Sequence, residues 1–89
     1  MTFPPQYRSS RYNRLKRRAL EIFEHDNWIT PRRWAVLAGF RPIRAAYTYL
    51  LRLHRFGLLE RSTARGVIAY HLSHRGRLRL SWLKQISKS

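Results

Sequence analysis

Apolar positions in this chain follow two rhythms, one of helices and one of strands. From Tyr12 they fall at Tyr12, Leu15, Ala19, Ile22 and Phe23, the three-and-four spacing of one helix face, with Arg14, Lys16, Arg17 and Arg18 on the other sides. That spacing predicts a first helix ending near His25 to Asn27. Trp28 and Ile29 read as a short extended segment. Thr30-Pro31 supplies the next helix start: a threonine hydroxyl caps free N–H groups, and a proline at the first helical position loses no hydrogen bond. Trp34, Ala35, Leu37 and Ala38 give this second helix an apolar face over about two turns, and Gly39 suits its terminator. A third helix opens at Pro42 and runs to about Phe56, with Gly57 as its stop. At about 100° per residue, Ala46, Tyr49, Leu50, Leu53 and Phe56 share its core face.

The rhythm then shortens. Leu58-Leu59-Glu60-Arg61 and Val67-Ile68-Ala69-Tyr70-His71-Leu72 are apolar-rich strands, and Ser62 to Gly66 between them has turn character, which predicts a hairpin. Ser73 can cap a fourth helix with Leu78, Trp82, Leu83 and Ile86 on one side, although Leu78, Leu80 and Trp82 also alternate as a strand would. Met1 to Ser10 lacks helical periodicity and reads as an irregular arm. The expected organisation is a basic arm over 1–11, one domain over 12–86 and a tail over 87–89. The fold class is mainly α with a small β-hairpin, in the order α-β-α-α-β-β-α.

Charge changes this picture most. Nineteen Lys and Arg stand against four acids, for a formal net charge of +15. Arginine-rich coding explains Arg in place of Lys, since 16 of the cations are Arg, but it does not explain the scarcity of acids. A charge this large destabilises a compact monomer and favours a polyanionic partner, with nucleic acid ahead of an anionic membrane. On the third helix, Arg41, Arg44, Thr48, Arg52 and Arg55 fall within an arc of roughly 80° opposite the core face. A merely solvated face would mix signs, and this one carries only cations.

Three stretches in order resemble the winged helix-turn-helix superfamily. They are Ile29 to Phe40; Tyr49-Leu50-Leu51-Arg52-Leu53-His54-Arg55-Phe56-Gly57-Leu58-Leu59-Glu60-Arg61; and Tyr70-His71-Leu72-Ser73-His74-Arg75-Gly76-Arg77. The middle stretch resembles a recognition helix running into a wing. The last is similar to the strand-and-helix junction of MarR- and PadR-like regulators. The stretch from Gly39 to Ala46 departs by one extra residue. The resemblance implies double-stranded DNA binding by a transcriptional regulator, with the third helix in the major groove. There Arg44, Ala45, Tyr47 and Thr48 are the base-facing candidates, and Arg can pair bidentately with guanine. Tyr47 is equally well placed to pack on the first helix. Arg41, Arg52 and Arg55 are candidates for phosphate. Arg32 and Arg33, at the start of the second helix, are phosphate candidates too. Arg65 would sit at the wing tip, flanked by Arg61, to meet phosphate or the minor groove. Arg8 and Arg11 of the arm can track the backbone. A two-fold dimer through the C-terminal helix is the expected assembly, and an RNA-binding module is the alternative function.

Other chemistries find little material. Trp28, Trp34 and Trp82 each lie on an apolar face and are expected in the core rather than as base-stacking platforms. The chain has no cysteine, so it has no disulfide or thiolate zinc site. Only Glu21, Glu24, Asp26 and Glu60 could serve acid–base or metal chemistry, and His71-x-x-His74 lacks a third ligand. Neither a catalytic site, a metal nor a cofactor is expected. No apolar run is long enough to span a membrane and Met1 to Arg11 lacks a signal-peptide core, so a cytoplasmic protein is expected.

Overall fold

The computed structural model describes the backbone of residues 5–25 and 28–87 and the side chains of 13–25 and 28–86. Within these, α1 (Pro5–His25), α2 (Pro31–Ala38), α3 (Ile43–Arg55), β1 (Leu59–Ser62), β2 (Ala69–Leu72) and α4 (His74–Ser87) follow one another. The fold is therefore mainly helical with one small antiparallel sheet.

The first helix starts seven residues before the apolar periodicity does. Residues 5–10, expected to be irregular, are helical, and Pro5 lies in the first turn, where a proline costs no hydrogen bond. Met1 to Pro4 of the expected arm and the side chains of Arg8, Arg11 and Tyr12 lie outside the described residues, as do Asp26, Asn27 and the tail residues 88–89. Among the described side chains of α1, Ala19, Leu20 and Phe23 are buried, whereas Leu15, expected on the core face, is half exposed. Helix α4 lies against α1, and Lys84 Nζ meets the Glu24 carboxylate at 2.9 Å.

Local signals place α2 as expected. Thr30 Oγ1 accepts the Arg33 N–H at 3.3 Å, and Pro31 takes the first helical position. Gly39 ends the helix in the left-handed region at φ 64°, where a Cβ would strain the backbone. Trp34 is the anchor. It is 1% exposed, and its indole N–H donates to the Ala19 carbonyl at 3.1 Å, which fixes α2 to α1. Its ring meets Phe40 and Tyr49 at centroid distances of 5.1 and 5.7 Å, so one aromatic cluster holds α2, the following turn and α3 together. That turn contains a cis Arg41-Pro42 peptide.

In the third helix, Ala46, Leu50 and Leu53 are buried, but Phe56 is half exposed beneath Lys16, whose Nζ lies 5.8 Å from the ring centroid. Phe56 is the C-cap of α3, and its N–H still bonds the Arg52 carbonyl at 3.0 Å. The hairpin pairs Leu59 with Leu72 and Arg61 with Tyr70, which puts Leu59, Tyr70 and Leu72 in the core. Ile29 exchanges two backbone hydrogen bonds with Tyr70, 2.9 and 2.8 Å, and adds a one-residue third strand.

The segment from Leu78 to Trp82 is helix, not strand. Its buried residues are Leu80 and Leu83; Leu78 and Trp82, expected with Leu83 on one apolar side, are 59% and 48% exposed. Helix α4 lies against α1 and β2, which leaves Leu78 and Trp82, two of its five large apolar residues, exposed. Trp28 is also half exposed and stacks on His71 at 5.0 Å. Of the three tryptophans expected in the core, Trp34 alone is there.

Candidate nucleic-acid interface

The junction of α3, β1 and α4 fixes how the third helix is presented. Ser73 Oγ accepts the Gly76 N–H at 2.9 Å as the cap of α4 and donates to the Gly57 carbonyl at 2.6 Å. The Leu58 carbonyl accepts the Ser73 N–H at 3.1 Å. A Cβ on Gly76 would lie 2.0 Å from that same carbonyl oxygen, so only glycine lets α4 approach so closely. His54 Nδ1 lies 2.9 Å from the Leu59 carbonyl; a carbonyl only accepts, so the proton sits on Nδ1. The aromatic-x-Leu-Ser-x-x-Gly pattern of Tyr70 to Gly76 thus has a physical content: two core residues, a cap and a close contact.

On the outer side of α3, Arg44, Thr48, Arg52 and Arg55 are all exposed, opposite buried Ala46, Leu50 and Leu53. A groove between the α2–α3 turn and α3 brings together Phe40, Pro42, Arg44, Ala45, Thr48, Tyr49 and Arg52. Four candidate residues, Arg44, Ala45, Thr48 and Arg52, therefore share one surface feature. Tyr47 does not join them. It is 45% exposed and sits about 160° around the helix from Ala45. Arg41 is exposed in the turn, and Arg32 and Arg33 are exposed in the first turn of α2. Phe40, Pro42 and Tyr49 were not among the sequence-derived site residues. Phe40 follows a helix terminator directly, and only the fold turns it toward α3.

At the hairpin tip, Arg65 stands at φ 58° within the turn Ala64–Gly66, held by Gly66 N–H to Thr63 O at 3.0 Å and by Ala64 N–H to Ser62 Oγ at 3.2 Å. Arg65 and Arg61 are both exposed.

The electrostatics are one-sided. Among the described residues, Glu21 pairs with Arg17, Glu24 with Lys84, and Glu60 lies 3.6 Å from His71 Nδ1. No described acid lies in ion-pair range of Arg32, Arg33, Arg41, Arg44, Arg52, Arg55, Arg61 or Arg65. The first turns of α2, α3 and α4 contain no acid and instead carry Arg32 and Arg33, Arg44, and Arg75. Like charge at the positive end of a helix dipole is unfavourable, and a bound anion removes the penalty. Among the described residues no three metal-ligating side chains cluster, and no helix is long and apolar enough to cross a membrane. No protein-family model, curated protein or solved structure matches the chain.

Proposed function

We propose that this chain is a winged helix-turn-helix module that binds double-stranded DNA sequence-specifically, as a cytoplasmic, non-enzymatic transcriptional regulator. The observation that carries this proposal is the two-sided character of α3. One side is sealed into the core by Ala46, Leu50 and Leu53, and the other presents Arg44, Thr48, Arg52 and Arg55 with no acid among them. A helix of this width fits the major groove of B-form DNA, where arginine reads guanine, whereas A-form RNA hides that groove from side chains. The element order supports the same assignment, with α2, a turn and α3 followed by a hairpin tipped by Arg65. In this scheme Arg44, Ala45 and Thr48 read bases. Arg32, Arg33, Arg41, Arg52, Arg55, Arg61 and Arg65 meet phosphate or the minor groove.

Two copies on neighbouring half-sites would extend the short sequence that one module reads. The exposed Leu78 and Trp82 of α4 are the pairing surface in this proposal. The +15 charge opposes pairing until DNA neutralises it, so ultracentrifugation should give a monomer alone and a two-to-one complex on DNA. The deciding experiment for the function is selection of bound duplexes from a random pool, followed by competition with structured RNA. A defined consensus that RNA does not displace is the expected result. RNA competing as well as the selected duplex would overturn it.

A further inference from the structure

The groove beside α3 is cationic at its rim and apolar along its floor, a combination that phosphate contact alone does not call for. Phe40, Pro42, Ala45 and Tyr49 supply the apolar surface, with Arg44 and Arg52 beside them. Thr48 also lines it, and its hydroxyl donates to the Arg44 carbonyl of its own helix at 3.4 Å. With that oxygen turned back to the backbone, the methyl is the part of Thr48 left for a partner. Alanine, a threonine methyl and phenylalanine are the side chains that suit the 5-methyl group of thymine, the one apolar feature on the major-groove edge of DNA. All three are gathered here.

We infer that this groove takes the 5-methyl of a thymine lying beside a guanine read by Arg44, so that the DNA site is chosen partly by a methyl group. The inference rests on the DNA-reading function proposed above and adds the identity of one base. Arg44 and Arg52 are eight residues apart, about 12 Å along the helix, which leaves room between them for the edge of a neighbouring base pair. The methyl would rest on Ala45 and Thr48, with Phe40 behind. Phosphate needs none of these contacts, and a cytosine or uracil at the same place would leave the floor facing water.

The test removes one methyl group and leaves the protein untouched. In the selected duplex each thymine is replaced in turn by deoxyuridine, and affinity is measured by fluorescence anisotropy at fixed salt. Burying one methyl is worth a factor of roughly three to five, so one position should lose that much and the others almost nothing. 5-Methylcytosine at that position should bind more tightly than cytosine. In Ala45→Ser, which places a hydroxyl on the floor, the thymine-to-uracil ratio should fall toward one while salt dependence stays the same. A clear consensus with no thymine sensitive to uracil overturns the methyl-reading groove and leaves DNA recognition standing. Absence of any sequence preference among duplexes overturns both.

Discussion

Arg44 and Gly76 show how differently a single residue can matter here. Arg44 is exposed in the first turn of α3 and holds no described acid, so its guanidinium is free to pair with a base edge. Arg44→Ala should cost about 1–3 kcal/mol on the preferred duplex and relax the choice at one base pair, leaving the thermal midpoint almost unchanged. An unchanged sequence preference in that variant would mean that another part of the surface reads the bases. Gly76 does the reverse. Alanine has an intrinsic helical advantage over glycine of about 1 kcal/mol, yet its Cβ would meet the Leu58 carbonyl at 2.0 Å. Backbone cannot step aside cheaply, so Gly76→Ala should destabilise by about 1–3 kcal/mol in chemical denaturation. A neutral or stabilising result would show that α4 can move off the Leu58 carbonyl.

At the scale of elements, what could be read from the sequence was whatever a few neighbouring residues decide. Thr30-Pro31, Gly39 and Ser73 bound their helices as expected, because caps and terminators act within one turn. The turn Ser62 to Gly66 was equally local. Periodicity, by contrast, names a helix face without saying what covers it. Leu15, Phe56, Leu78 and Trp82 all lie on or beside apolar faces and are nevertheless exposed. The helical stretch from Pro5 was illegible for a related reason: no apolar rhythm marks it. The arginine stripe of α3 could be read from spacing alone, but the Phe40–Pro42 floor depends on how the turn folds back. The hairpin offers its own test. Arg65 occupies the left-handed region at φ 58°, which disfavours any residue with a Cβ by about 1 kcal/mol. Arg65→Gly should therefore raise stability by about that amount in thermal melts while weakening all duplexes alike. A loss of stability would place a supporting contact at the hairpin tip, and an unchanged affinity would remove Arg65 from the proposed DNA-binding surface.

For the molecule as a whole, the proposed function makes charge act on stability and on binding with opposite signs in salt. Added salt screens the repulsion behind the +15 charge and should raise the thermal midpoint of the free protein. The same salt should release DNA, with log affinity against log salt sloping near −5 if about six phosphates are neutralised. Thermal melts and anisotropy over one salt series check both signs, and a slope shallower than about −2 would mean that the arginine surface is not what meets DNA. The three indoles make such measurements possible without any label. Trp34 is sealed beneath α1 with its N–H bonded to Ala19, whereas Trp28 stacks on His71 and Trp82 lies under Arg79 near solvent. A soluble quencher therefore reaches two emitters in the native protein and the third only after the core opens. Intrinsic fluorescence thus separates surface events from unfolding in a single sample: the quenchable light follows what settles near the hairpin and α4, and the protected light follows the fold.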